Sequence, residues 1–185
     1  MTVELSGRLA EAIRKQARAA YPEEACGILV GRRDGERVRV RQALPCANYA
    51  PTEERRRRFE IEPRAVLNVQ RALRGTQQAI VGFYHSHPGT PPEPSRTDML
   101  YLRHWPETVW LIASVDATRG THLRAWWLDG ASESVTGEAP EVVGRDGPRA
   151  DPDGRLDVPR AVEVLTLREL DIAFPRLTAV RGCPD

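Results

Sequence analysis

The 185-residue sequence predicts a single α/β domain in which helices and strands are mixed around one sheet. Two observations predict this class. Apolar residues recur at helical spacing in some segments, and other segments are short apolar runs bounded by turn residues. With 41% hydrophobic residues, a chain of this length can bury a full core without disulfides.

The N-terminal part predicts a helix and then a β-hairpin. Apolar residues recur every three or four positions behind Ser6, a residue type that caps helices, and Pro22 marks the end of the helix. Residues 25–30 are apolar, and valines alternate with arginines after the turn signal Asp34-Gly35. These patterns predict two strands joined by that turn.

The central part predicts a second helix and a buried strand. Pro63 suits the first turn of a helix, and Gly75 suits its C-cap. Residues 79–84 are apolar on both faces, which predicts a central strand. The four tryptophans are expected to pack the sheet. The remaining predicted elements are a helix that begins near Ser95 and strands at residues 108–115 and 122–128.

The composition changes near residue 138. The following segment is rich in Gly, Pro, Asp and Arg, which is typical of a linker or tail. Residues 161–170 fit either a helix or a strand. We therefore predict a domain at residues 1–137 and a C-terminal extension of unknown role at residues 138–185.

Composition argues against several function classes. Lys and Arg total 27 against 26 acidic residues, so no overall field favours nucleic acid or a membrane surface. No stretch approaches the roughly 20 apolar residues that span a bilayer, and the sequence predicts a cytoplasmic protein. Three cysteines at wide spacing predict reduced thiols. The run from Arg55 to Arg58 fits a solvated loop or a docking site for an acidic partner, and both remain open.

The decisive stretch is His85-Ser86-His87, followed after seven residues by Ser95 and then by Asp98. Residues two apart on a strand share a face and lie roughly 7 Å apart, so both imidazoles can reach one ion. The loop contains Gly and Pro and lets the chain return, with Asp98 in the first helical turn. Two nitrogens and one oxygen leave a tetrahedral zinc one open position, as in a catalytic site. Ser95 and Asp98 also fit a capping box, and both interpretations can hold.

Hydrolysis at such a metal also needs a base that takes a proton from water and returns it to the leaving amine. Glu24, at the start of a predicted strand, is the candidate. Cys26 is nearby, but no activating partner is evident, so a buried apolar role fits it better.

These residues resemble the JAMM, or MPN-plus, family of zinc peptidases and isopeptidases. The resemblance rests on His85-Ser86-His87, Ser95 and Asp98 at fixed spacing, and on a glutamate two residues before a Cys-Gly pair. That last position selects Glu24 over Glu23. The resemblance spans roughly residues 5–135 and leaves the C-terminal segment uncovered.

The resemblance implies a three-layer α/β/α, cytidine-deaminase-like fold with a central mixed sheet. It implies one Zn²⁺ per chain on His85, His87 and Asp98, with Glu24 as the acid–base group. Ser95 would polarise the scissile carbonyl or hold the tetrahedral oxyanion.

The implied reaction is hydrolysis of the bond after the C-terminal glycine of a ubiquitin-like sulfur-carrier protein conjugate. Residues 45–59 and 89–94 would border a groove for the extended carrier tail. The alternatives are a general metallopeptidase or peptidoglycan-related hydrolase, and a non-catalytic MPN scaffold. A zinc deaminase is disfavoured because its H-x-E and P-C-x-x-C signature is absent. The sequence leaves the carrier, the released amine and the oligomeric state open.

Overall fold

The computed structural model describes residues 1–116, 120–128 and 167–173. Strands and helices mix along the chain, as the sequence predicts. The elements in chain order are β1 (Thr2–Glu4), α1 (Gly7–Ala20), β2 (Cys26–Asp34), β3 (Arg37–Cys46), α2 (Pro63–Ala72), β4 (Ala79–Pro88), α3 (Arg96–His104), β5 (Val109–Asp116), β6 (Gly120–Leu128) and β7 (Leu167–Ala173).

The strands form one mixed sheet in the spatial order β1-β3-β2-β4-β5-β6-β7. β4 is the buried central strand of the prediction, since residues 81–87 are all buried and the strand pairs antiparallel with β2 and parallel with β5. The sheet closes because β1 pairs with both β3 and β7. The α/β class, the mixed sheet and the central strand are confirmed, whereas the three-layer arrangement stays a prediction.

The closing strands lie at the two ends of the described chain. β1 has three residues, too few to show a hydrophobic period, and the sequence did not predict it. β7 resolves the open choice for residues 167–170 of the segment 161–170, because they belong to a strand that pairs with β6 and β1, whereas residues 161–166 lie outside the described residues. The composition-based linker lies outside the described residues, and the boundary at residue 137 stays a prediction.

Within the described residues, no helix is long and apolar enough to cross a bilayer.

Two apolar clusters are built on alternating side chains of the strands. Each fully buried aliphatic or aromatic side chain contributes roughly 1.5–3 kcal/mol to folding. One cluster joins Ala10, Ile13 and Ala17 of α1 to Leu29, Tyr84 and Leu111, and the other joins Leu102 of α3 and partly buried Val66 of α2 to Ile28, Phe83 and Trp110.

The helix starts follow the predicted capping chemistry. Ser6 Oγ accepts a hydrogen bond from Leu9 N at 3.2 Å, and Pro63 is the first residue of α2. The predicted C-cap of α2 at Gly75 was wrong, because the helix ends at Ala72 and Leu73 is the C-cap. Gly75 lies in the turn that follows, where its φ of 76° favours glycine.

Gly82 on β4 is expected to be indispensable for the pairing of β4 with β5. A Cβ at this position would lie 1.9 Å from the carbonyl oxygen of Val109, its partner in the register. We predict that Gly82→Ala lowers the free energy of unfolding by at least about 1–3 kcal/mol, because the two strands must separate. Urea unfolding followed by circular dichroism measures this.

Gly7→Ala is the matched control, since its added methyl group would meet nothing within 4 Å. That variant should be as stable as the wild type or more stable, because Gly7 begins α1. Equal unfolding midpoints for Gly82→Ala and the wild type would contradict the close approach of the strands.

Candidate metal centre

Three side chains of β4 and α3 converge at one end of the central strand. β4 continues through His85 and His87, which therefore project to the same face. Asp98 lies in the first turn of α3 and faces them. All three residues are buried, and their candidate ligand atoms lie within 4.8 Å of one another. The structure thus brings together the three residues that the sequence selected as ligands.

The distances and the donor chemistry fit a divalent cation. The two histidine Nε2 atoms are 3.0 Å apart, and the Asp98 carboxylate oxygens lie 3.3 Å from His85 Nε2 and 3.2 Å from His87 Nε2. His87 Nδ1 lies 2.8 Å from the carbonyl oxygen of Pro91, so we assign its proton to Nδ1 and a lone pair to Nε2. Two imidazole nitrogens and one carboxylate are a ligand set that catalytic zinc sites use.

Asp98 stays ionised despite its burial. Burial alone would raise its pKa, but the interactions with His85, His87 and Ser95 outweigh burial and hold the pKa well below its usual range. Burial also lowers the pKa of His85, which favours the neutral imidazole that ligates metals. At His87 the interactions with Asp98 and the Pro91 carbonyl outweigh burial and raise the pKa. The site therefore presents one carboxylate, a neutral imidazole at His85 and an imidazole at His87 that ligates a metal in its neutral form.

Ser95 orients Asp98 through a complete capping box. Ser95 Oγ accepts from Asp98 N at 3.2 Å, and Ser95 N donates to Asp98 Oδ2 at 2.7 Å. The predicted capping box is confirmed. The assignment of Ser95 to the carbonyl or the oxyanion stays a prediction.

Glu24 is a buried carboxyl group beside the cluster. Its side chain interacts electrostatically with His87 and Asp98, and burial raises its pKa to about 8. Its Oε2 is buried without a hydrogen-bond partner among the described residues. Glu23, by contrast, has a side chain that is 41% exposed and lies 3.9 Å from Arg55. These surroundings favour Glu24 as the group that exchanges a proton.

The backbone on both sides of the Glu24 side chain is held by contacts that the sequence analysis missed. Glu24 N donates to Arg55 O at 2.7 Å, and Asn48 Nδ2 donates to Glu24 O at 3.1 Å. Ala25 N donates to Ser86 Oγ at 2.8 Å, while Ser86 N donates to Ala25 O at 2.9 Å. Ser86 thus ties the residue after Glu24 to the strand that carries both histidines. Ser86 is the middle residue of the His85-Ser86-His87 motif, but the sequence analysis assigned it no role of its own.

Asn48 uses its whole amide group in this arrangement. Its Nδ2 also donates to Arg58 O at 3.1 Å. Its Oδ1 accepts from Ala50 N at 3.0 Å and from Glu60 N at 3.1 Å. The loop between β3 and α2 is therefore fixed against the start of β2.

Aromatic rings pack against His85, the first candidate metal ligand. The ring of Phe59 stacks on the imidazole of His85, with the ring centroids 4.5 Å apart. The ring of Tyr101 also stacks on Phe59, with centroids 5.5 Å apart. Phe59 is only 3% exposed. The imidazole of His85 is thus fixed by packing, in a position that excludes water.

The arginine run divides into structural and exposed members. Arg55 donates to Ala50 O at 2.8 Å, and Arg58 contacts Glu54 at 3.0 Å and the hydroxyl of Tyr101. Arg56 and Arg57 are exposed. The solvated and partner-binding interpretations stay open for these last two residues.

Cys26 has the properties of an inert core thiol. It is fully buried, and burial together with the neighbouring Cys46 raises its pKa to about 12. A thiol with so high a pKa holds little thiolate, which supports the apolar interpretation. Cys26 and Cys46 are both unpaired thiols, and Cys183 lies outside the described residues.

Comparison with known proteins identifies related sequences. A family model described as prokaryotic homologs of the JAB domain matches residues 6–129. A desampylase of Haloferax volcanii is 37% identical over 109 residues, which are 59% of this chain and 75% of that protein. A CysO-cysteine peptidase of Mycobacterium tuberculosis is 32% identical over 136 residues, which are 73% of this chain and 87% of that protein.

Solved structures share the fold. A protein from Desulfitobacterium hafniense superposes with a TM-score of 0.65 and 25% identity, covering 94% of this chain and 93% of that chain. A protein from Salinibacter ruber superposes with a TM-score of 0.55 and 26% identity, covering 96% and 94% of the two chains. The family match lies within the span, roughly residues 5–135, that the motif analysis indicated.

The raised pKa of Glu24 predicts a specific pH dependence of stability. Its pKa is about 8 in the folded, metal-free chain against an ordinary value of 4.5, so the folded state holds a proton that the unfolded state releases. Linkage then lowers the stability of the wild type as pH rises from about 4.5 to about 8. Glu24→Gln removes this loss, so the variant should gain on the order of 1–3 kcal/mol over the wild type between pH 5 and pH 8.

Urea unfolding of chelator-treated proteins at both pH values measures the difference. Glu53→Gln is the matched control, because Glu53 is exposed. The free energy of unfolding of this variant should differ from that of the wild type by the same small amount at pH 5 and at pH 8. If the Glu24→Gln difference were the same at pH 5 and pH 8, the raised pKa would be refuted.

Proposed function

The chain belongs to the family of prokaryotic JAB-domain homologs, and on this premise we propose a specific activity. It is a zinc-dependent metallopeptidase that hydrolyses the bond after the C-terminal glycine of a ubiquitin-like sulfur-carrier protein conjugate. The convergence of His85, His87 and Asp98 beside the buried Glu24 carries this proposal.

The names of the relatives support the substrate class. One is a CysO-cysteine peptidase, and another, from Thermus thermophilus, is a probable TtuB-protein conjugate cleaving protease. The Thermus protein is 32% identical over 95 residues, which are 51% of this chain and 60% of that protein. The first name describes cleavage between CysO and cysteine, and the second describes cleavage of a TtuB–protein conjugate; both agree with the reaction that the motif implies.

His85, His87 and Asp98 would hold one zinc ion per chain. When bound, zinc supplies a Lewis acid that polarises a carbonyl group and makes a water acidic enough to lose its proton near neutral pH. The capping box holds the Asp98 carboxylate in place through hydrogen bonds within the protein. The Phe59 ring and the Pro91 carbonyl do the same for the two imidazoles.

Glu24 carries the proton. Its carboxylate takes a proton from the attacking water, and the resulting acid returns that proton to the departing amine. Burial raises its pKa to about 8, which favours the form that donates. A cation in the neighbouring site would lower this pKa toward neutrality, where one group can serve both steps.

Ser95 is suited to the developing negative charge on the scissile carbonyl. Its Oγ already accepts the amide proton of Asp98, which leaves the hydroxyl proton free to donate. It also stands at the N-terminus of α3, where the helix dipole favours negative charge. Both properties support its role beside the oxyanion.

Two loops would border the substrate groove. The segment at residues 45–59 contains Asn48, which is bonded to the backbone of Glu24. The segment at residues 89–94 contains Pro91, which is bonded to His87. A Gly-Gly tail is extended and narrow, so it would fit between them where bulky side chains would not.

We further propose that the α/β/α layers are retained, with α1 in one apolar cluster and α2 and α3 in the other.

We predict that Glu24→Gln keeps zinc and loses turnover. The variant should bind one zinc per chain, because Gln replaces no ligand, while kcat/KM falls by about 10²–10⁴-fold because no acid–base group remains. Zinc content is measured by elemental analysis, and turnover by mass spectrometry of a carrier joined through its C-terminal glycine to cysteine or lysine. Glu23→Gln should retain activity. Hydrolysis by Glu24→Gln at the wild-type rate would remove its assigned role.

The same assay separates the substrate classes. Chelator-sensitive release of the carrier, with slow cleavage of unrelated short peptides and murein fragments, is the expected result. Faster cleavage of those peptides or fragments would indicate a general peptidase or a peptidoglycan-related hydrolase. Absence of any chelator-sensitive hydrolysis would indicate a scaffold.

A further inference from the structure

Two consecutive residues of the loop between β4 and α3 contact side chains of two different strands, β4 and β6. His87 Nδ1 lies 2.8 Å from the carbonyl oxygen of Pro91. The next carbonyl oxygen, that of Pro92, accepts a hydrogen bond from the indole Nε1 of Trp126 at 2.8 Å. One contact therefore reaches a proposed metal ligand, and the other reaches a tryptophan that the sequence analysis assigned to packing.

We propose that Trp126 is a positioning residue for His87, acting through the Pro91 and Pro92 carbonyl groups. The proposal rests on the metal site described above. The metal motif does not include Trp126, which lies 34 residues beyond Pro92 in the sequence. Its role follows from the fold, since β6 pairs with β5 and β5 pairs with the strand that carries His87.

The chemistry of two consecutive prolines makes this anchor effective. Proline has no backbone N–H, so the carbonyl oxygens are the hydrogen-bonding groups of this part of the loop. The ring of Pro92 fixes φ near −65°, so ψ of Pro92 is the one soft backbone torsion between the two carbonyl groups. Holding the Pro92 carbonyl therefore restricts the direction of the Pro91 carbonyl, and with it the ring plane of His87.

A second contact to the same loop is weaker. Arg124 also lies on β6, two residues before Trp126, and contacts Glu93 at 3.2 Å. Both of these side chains are substantially exposed, at 44% and 59%, and exposed ion pairs contribute little to stability. The partly buried indole N–H is thus the main anchor of the loop.

The consequence is a dependence of zinc affinity on Trp126. An Nδ1–H bond to a carbonyl keeps the Nε2 lone pair of a histidine directed at the metal, and loss of such a partner typically weakens metal binding by about 10–100-fold. Trp126 does not contact His87 itself but acts through the hydrogen bond to the next carbonyl group, that of Pro92. We therefore expect a loss of roughly 3–10-fold when its N–H is removed.

Trp126→Phe tests this because it keeps an aromatic ring and removes the indole N–H. Zinc affinity and the rate of zinc release are measured by competition with a chromophoric chelator. The variant should bind zinc roughly 3–10-fold more weakly and release it faster. Trp105→Phe is the matched control, since the ring of Trp105 packs against Phe83 at 4.9 Å and the substitution leaves the loop contact intact. It should keep wild-type affinity.

A second replacement separates the hydrogen bond from ring packing. Benzothienylalanine at position 126 keeps the bicyclic ring and has sulfur in place of the N–H, so it should reproduce the weaker zinc binding even if the phenylalanine variant folds poorly. Wild-type affinity with either replacement, while the wild type itself binds zinc, would overturn this inference alone. A wild-type chain that binds no zinc would overturn both this inference and the proposed function.

Discussion

The architecture depends on the meeting of one strand end with one helix start, where two imidazoles and a carboxylate share a buried space. Asp98 remains negatively charged at 4% exposure only because His85, His87 and the backbone N–H of Ser95 face it. A divalent cation at this point would use all three lone-pair donors at once. The closed sheet fixes the direction of β4, and the capping box fixes the first turn of α3, so contacts within the protein position both sides of the site.

Two buried carboxyl groups in one site have opposite properties because their hydrogen-bond partners differ. Asp98 accepts from Ser95 N and faces two histidines, which lowers its pKa, whereas the Glu24 Oε2 has no partner among the described residues and burial raises its pKa to about 8. Environments that separate the pKa values of neighbouring acids are how enzymes divide roles between identical groups. The roles proposed here, Asp98 as metal ligand and Glu24 as proton carrier, follow this division.

Local rules explain which parts of this arrangement were predictable from sequence. Alternation along a strand placed His85 and His87 on one face, and the capping pattern placed Asp98 in the first turn of α3. The contacts that support them join residues far apart in the chain: Ser86 with Ala25, Asn48 with Glu24, and Trp126 with Pro92. No local pattern encodes such pairs. The same holds for closure of the sheet, which requires a three-residue strand to pair with a strand near the opposite end.

A crystal structure of the zinc-loaded protein, with anomalous differences measured on both sides of the zinc absorption edge, tests the central claim most directly. The account predicts one strong peak per chain about 2.0–2.2 Å from His85 Nε2, His87 Nε2 and an Asp98 oxygen. The Glu24 carboxylate should lie near that peak without ligating it. A peak bound by other residues, or no peak from protein loaded with a full equivalent of zinc, would contradict the account.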